Sequence, residues 1–92
     1  MSDQFERYEQ DLIEVIKSSK IKLADEIPIA DKDAKRVLIR QVTKEIDDMN
    51  SILGDMEFYM SKTGPNSRGQ MNNKIKKFKF DVEIVQKELV YT

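Results

Sequence analysis

The chain has 92 residues, with 16 basic and 17 acidic side chains for a net charge of −1, and is 39% hydrophobic and 36% charged. That length supports one small domain, and so much charge beside so little apolar content favours amphipathic helices with narrow apolar stripes. The absence of cysteine excludes disulfides and thiolate metal sites, and the absence of histidine removes the commonest general base and metal ligand. Apolar runs reach only three residues, as in Val37-Leu38-Ile39, so no membrane span is expected, and Met1-Ser2-Asp3-Gln4 does not open a signal peptide.

Asp3 followed by Glu6 has the spacing of a capping box, with Ser2 as an alternative cap. Phe5, Tyr8, Leu12, Val15/Ile16, Ser19, Leu23 and Ile27 then recur at steps of three and four, which predicts a first helix over roughly 3–26. It is expected to stop before Pro28, because the residue ahead of a proline is pushed out of the α region. Asp31 or Asp33 can cap the next helix. Its stripe is Ala34, Leu38, Val42, Ile46, Met49, Leu53, Met56 and Met60, which predicts a second helix over roughly 31–62. Gly54 inside it either costs about 1 kcal/mol relative to alanine or marks a close approach between helices.

Two of the three glycines and one of the two prolines fall in Gly64-Pro65-Asn66-Ser67-Arg68-Gly69. Gly64 can end the second helix in a left-handed conformation, Pro65 cannot continue it, and Ser67 with Gln70 has capping-box spacing for a third. Met71, Ile75, Phe78, Val82, Val85, Leu89 and Thr92 predict that helix over roughly 68–91.

Three long helices with short connections imply an all-α, up-down-up antiparallel three-helix bundle, about 35–45 Å long at 1.5 Å per residue. The expected core is Phe5, Leu12 and Leu23; Leu38, Val42, Ile46, Met49, Leu53 and Met56; and Ile75, Phe78, Val82, Val85 and Leu89. Charge is split along the chain. Residues 1–27 hold four basic and seven acidic side chains, residues 66–92 six and three. The first and third helices run parallel in such a bundle, so the acidic start of one is expected beside the basic start of the other. Each exposed pair contributes little, about 0–1 kcal/mol, but the set favours one helix order.

Catalysis finds no support in these residues. Glu45, Asp47 and Asp48 cluster carboxylates, yet neighbours on a helix point in different directions and no nucleophile or phosphate-cradling loop accompanies them. Asp31-Lys32-Asp33 fails as a calcium loop because its sixth position is Arg36 and its twelfth Val42. No metal or other cofactor is expected. Lys74-Ile75-Lys76-Lys77-Phe78-Lys79-Phe80 interleaves bases with aromatics and suggests a lipid- or nucleic-acid-binding bundle, but Ile75 and Phe78 belong to the core stripe and the net charge gives no basic footprint. A homo-oligomeric helical scaffold is a third reading of the clean heptad in the last helix. Ile13, Ile39, Phe58, Tyr59, Phe80 and Ile84 fall off the stripes, with Phe58 and Tyr59 close to the turn. On these grounds the chain is a helical interaction module.

Two segments sharpen that reading. Phe5-Glu6-Arg7-Tyr8-Glu9-Gln10-Asp11, and Pro65-Asn66-Ser67-Arg68-Gly69 followed by Asn73 and Lys79, resemble the Vti family of Qb-type SNAREs, named for vesicle transport through interaction with t-SNAREs. Helix lengths and loop positions are similar to that family's N-terminal regulatory domain along almost the whole chain. The resemblance implies a Habc-like bundle ahead of a SNARE motif and a membrane anchor, both absent from a chain that stops at Thr92. It further implies a v-SNARE of traffic among trans-Golgi network, endosomes and vacuole or lysosome, lying on the cytosolic face of those membranes. The implied partners are epsin-related adaptors with ENTH domains, and other SNAREs through the missing part; nucleic acid is not among them. The isolated domain is expected to be soluble and monomeric. Gln41 is not the central glutamine of a SNARE motif, since it sits one place before the core position Val42 and its helix is too short. The expected contact residues are Asn66, Ser67, Arg68 and Gly69, supported by Phe58 and Tyr59. For Arg68 a structural alternative stands beside binding: it pairs with Glu6 or Glu9 and closes the end of the bundle.

Overall fold

A computed structural model describes residues 3–92. Three helices carry the fold: α1 (Asp3–Ile21), α2 (Lys32–Ser61) and α3 (Pro65–Val90). Between α1 and α2 the chain stays helical but changes pitch, first as a π-helical turn over Lys22–Glu26 and then as a 3₁₀ turn over Ile27–Ile29. Ser2, the alternative first cap, lies outside the described residues; Asp3 is already the first residue of α1.

The pairing of side chains fixes the directions. Phe5 meets Tyr59 while Lys22 meets Glu45, so α1 and α2 are antiparallel. Arg68 reaches Ser61 and Lys79 reaches Glu57 on or after the same stretch of α2, so α3 turns back again. Glu9 beside Lys74 leaves α1 and α3 parallel. The result is an up-down-up three-helix bundle measuring 50 × 19 × 16 Å. Among the described residues, the expected acidic–basic match between α1 and α3 takes the form of one ion pair, Lys74 Nζ to Glu9 Oε1 at 3.2 Å.

The core is a single seam. Phe5, Leu12, Val42, Ile46, Met49, Leu53, Met56, Ile75, Val82 and Val85 are buried, as are Ile16, Ile27 and Met71. Leu23, Leu38, Phe78 and Leu89 are half-buried and pack against that seam rather than within it. Ala34, the first position of the second stripe, is exposed.

Both helix connections differ from expectation. Ile27 precedes Pro28 yet keeps α-region angles (φ −62°, ψ −44°), and its N–H donates to the Lys22 carbonyl five residues back. Widening the last turns keeps Ile27 on the seam, and its burial opposes the proline's steric preference. Extended backbone begins only at Ala30. Asp31 then caps α2, its side chain accepting from the Ala34 N–H at 2.8 Å.

At the second connection Gly64 is not left-handed. It has φ −63° and ψ 160° and is the N-cap of α3, with Pro65 in the first turn. No described residue other than glycine, and no glycine, has positive φ. Proline opens a helix well because its φ is preset and the N–H that it lacks would have no partner there. So α3 starts three residues earlier than the capping-box spacing suggests, and Ser67 is inside its first turn rather than capping it.

One polar cluster bolts α1 to α2. Ser18 Oγ donates to Glu45 Oε2 at 2.6 Å, the fully buried Ser19 donates to Oε1 at 3.0 Å, and Lys22 Nζ lies 3.1 Å from Oε2 and 2.7 Å from Ser18 Oγ. The Glu45 side chain is 19% exposed. Burial alone pushes its pKa up, but the hydrogen bonds from Ser18, Lys22 and Ser19 and the charge of Lys22 outweigh it, so the carboxyl titrates below its usual range.

Two predictions follow from this packing. Because the folded pKa of Glu45 lies below the unfolded value, its contribution is complete above the ordinary carboxylate range and fades as pH falls through the folded value. Glu45→Gln should therefore lower stability by about 1 kcal/mol at neutral pH and narrow the gap to wild type in acid, as thermal unfolding at several pH values would show. Gly54 is exposed inside α2, and a Cβ built there meets nothing within 4 Å, so it marks no close helix approach. Gly54→Ala should raise stability by about 1 kcal/mol, read from denaturant midpoints.

Candidate partner-binding surface

The end of the bundle that holds the second connection gathers the last turn of α2, the first turns of α3 and the start of α1. A helix leaves its last four carbonyls without partners inside the helix, and here side chains and tight turns take up all four. Ser61 Oγ donates to Phe58 O at 2.6 Å, Thr63 Oγ1 and the Lys62 N–H to Tyr59 O, and the Thr63 N–H to Met60 O. The Arg68 guanidinium donates to Ser61 O at 3.4 Å and to Thr63 O at 2.9 Å. A cation held against a helix C-terminus also suits the partial negative charge there.

Arg68 therefore closes the end of the bundle, but not by pairing with Glu6 or Glu9. It clamps α2 to α3 through backbone carbonyls, and Glu9 goes to Lys74 instead. Tyr59 turns inward. Its ring stands 6.4 Å from those of both Phe5 and Tyr8, tilted to the first and edge-on to the second. This stack ties the opening of α1 to the end of α2. Phe58 points outward at 63% exposure, with the Lys62 ammonium 4.5 Å from its ring centroid, a cation–π contact that leaves the other ring face open. Asn66, Arg68 and Gly69 are exposed on the first two turns of α3, with Ser67 half-buried between them.

The six expected contact residues thus divide by role. Asn66, Gly69 and Phe58 present free surface, Arg68 and Tyr59 hold the end together, and Ser67 lies between the two groups. Of the basic segment, Lys74 and Lys79 are engaged in ion pairs with Glu9 on α1 and Glu57 on α2, while Lys76 and Lys77, beside the exposed Phe80, form no ion pair among the described residues. A set of lysines drawn to opposite sides of their helix makes a poor anion-binding face. Among the described residues no group of carboxylates is arranged to hold a metal ion, and no helix is long and apolar enough to cross a membrane.

Sequence reasoning missed two features. The Glu45 cluster was signalled only by Ser19, a polar residue on an apolar stripe. The second is an apolar groove between α1 and α3, lined by Ile13, Ile21 and Phe78, whose signal was Ile13 lying off the stripe.

Against this geometry, comparison with known proteins is specific. The family described as vesicle transport v-SNARE protein N-terminus matches over residues 1–92, and the chain belongs to it. Among curated proteins, vesicle transport through interaction with t-SNAREs homolog 1A of Mus musculus and that of Homo sapiens are each 29% identical over 79 residues, covering 86% of this chain. The Rattus norvegicus homolog is 28% identical over the same length. The chain spans about a third of these relatives, 36% of the mouse and human proteins. No solved structure matches.

Removing the Arg68 clamp should loosen the turn without unfolding the core. Arg68→Ala should cost about 0.5–1.5 kcal/mol and speed hydrogen exchange at the amides around Lys62 and Thr63, while exchange in the middle of α2 stays slow.

Proposed function

We propose that this chain is a non-catalytic regulatory domain of a longer v-SNARE, working in vesicle traffic among the trans-Golgi network, endosomes and the vacuole or lysosome. It lies at the cytosolic face of those membranes and presents the turn end of its bundle to an epsin-related adaptor with an ENTH domain. Family membership supports the trafficking role, and the printed name of the relatives supports t-SNAREs as partners of the longer protein. The observation that carries the surface assignment is convergence. The Phe5-to-Asp11 segment and the Pro65-to-Gly69 segment, sixty residues apart, are brought to one end by the Phe5–Tyr59 and Glu9–Lys74 contacts.

A rigid end suits this work. The clamp and the aromatic stack fix the backbone before a partner arrives, so less ordering entropy opposes association. Exposed Phe58 and Asn66 supply an apolar and a polar contact on elements whose positions are already set.

Gly69→Arg and Asn66→Glu test the assignment without disturbing the clamp, because a side chain at Gly69 meets open space and Asn66 is exposed. Titration against purified ENTH domains should show wild-type binding weakened at least about tenfold by either change, a loss of about 1.4 kcal/mol. Equal binding by wild type and both variants, or no binding by wild type up to about 1 mM, would overturn the adaptor reading.

A further inference from the structure

The solvent side of α3 carries a second stripe that the bundle core does not use. Opposite the buried Met71, Ile75, Val82 and Val85, the helical period brings Gly69, Asn73, Phe80, Ile84 and Tyr91 onto one outward face. Phe80 is 62% and Tyr91 89% exposed, with Ile84 half-buried beside them. Apolar residues repeating at helical spacing differ from scattered ones, because a single docked helix can cover them together.

The charges beside this stripe change sign along it. Lys76 and Lys77 stand before Phe80; Asp81, Glu83 and Glu88 stand after it, with Lys87 the one cation of that half. None of these six side chains takes part in an ion pair among the described residues. Lys74 and Lys79, by contrast, lean to the sides of α3 and are held by Glu9 and Glu57. Lys76 and Glu83 border the flank of α3 next to α2, where Glu83 lies near Glu57 and Lys79. Lys77 and the half-buried Asp81 border the flank next to α1, where Lys17 and Lys20 also face Asp81.

We propose that this face pairs with the same face of a second copy, the two α3 helices antiparallel about a two-fold axis at Phe80. A face that is basic in one half and acidic in the other is its own complement when turned end for end, as an isologous contact turns it. One register serves the whole stripe. With Phe80 against Phe80, Lys76 is about 1.5 Å from level with Glu83 of the second copy, and Lys77 about 3 Å from level with its Asp81. Each pair lies on one flank, since a two-fold of this kind sets like flank against like. Ile84 crosses the aliphatic stems of Lys76 and Lys77, and Tyr91 crosses Gly69, where a side chain would meet open space. Lys87 and Glu88 come level with the uncharged Asn73 and Asn72. The closest like-charge approach, Lys87 to Lys76, is offset by about 4.5 Å.

Other occupants fit only part of the face. A parallel pairing would set Lys76 and Lys77 against themselves. An anionic bilayer would meet Asp81, Glu83 and Glu88 around the inserted Phe80, and a helix of uniform charge would match one half and be repelled by the other. Contact from Gly69 to Tyr91, about 33 Å of helix, is at the small end of specific interfaces, so the chain is monomeric when dilute and pairs when concentrated. The pairing covers Gly69 but does not rest on the adaptor reading.

Sedimentation equilibrium of the 92-residue chain should show its mass rising from one copy toward two, with a midpoint below about 1 mM. Lys76→Glu and Glu83→Lys should each weaken association at least about tenfold. An equimolar mixture of these two variants should restore it, because each then meets opposite charge on both sides of the axis. Phe80→Gln should weaken pairing in every case. All three positions are exposed, and circular dichroism checks that helicity is kept. A chain that keeps the mass of one copy up to about 1 mM rules the proposal out, as does a mixture that fails to restore association. Association removed by Ile13→Gln and not by Phe80→Gln would place the contact in the α1–α3 groove instead. Binding to phosphatidylserine vesicles that Lys76→Glu abolishes would assign the face to a bilayer, and either result rejects the pairing.

Discussion

A chain with more than a third of its residues charged can bury only one narrow apolar seam, and the architecture follows from that limit. Each helix contributes one stripe, and the three stripes close on each other in a single buried cluster. Within the seam the large, adaptable residues gather toward the turn end, where Phe5, Met56 and Met71 are all buried. Methionine fills irregular gaps because it is unbranched and polarisable, and it does so where three helix ends must be fitted around the Tyr59 stack. The middle of the seam is more regular, with Leu12, Met49 and Val82 among its layers.

The stripes were legible because period and burial are the same physical fact on a helix. Helix number, order and direction followed from them. The boundaries were less legible, and for a definite reason. Gly64-Pro65 is compatible both with a left-handed glycine that ends one helix and with an N-cap glycine that starts the next. Only the carbonyl partners of α2 decide between these, and they come from Arg68, Thr63 and Ser61 acting together. The same holds at Pro28, where the local preference of Ile27 yields to its place on the seam. Local rules describe a residue's cheapest conformation, and burial of one isoleucine, about 1.5–3 kcal/mol, is large enough to override them.

The meeting of the two segments at one end of the bundle was legible, and the roles of their side chains were not. The resemblance picked out Pro65 to Gly69, and the up-down-up order brought that segment to the start of α1. Which side chains face outward depends on the rotation of α3 about its axis, and that rotation is set by starting the helix at Pro65. Arg68 thereby became structural while Asn66 and Gly69 stayed open; Tyr59, on α2, is instead drawn inward by Phe5 and Tyr8 of α1. Glu45 was harder still. In the sequence it stands near Asp47 and Asp48 as one more carboxylate, and its distinction comes from α1 and the π-helical turn after it laying Ser18, Ser19 and Lys22 across it.

An odd number of helices has a consequence for reach. With α1 and α3 parallel, the turn carrying Asn66 and Gly69 lies at one pole of a rod 50 Å long, and Tyr91 and Thr92 lie at the other. The bundle is therefore a standoff. On the proposed reading, a partner at the turn is held most of the rod's length from the last turn of α3, at a distance that the stiffness of α3 fixes. An even number of helices would have folded that distance to nearly nothing.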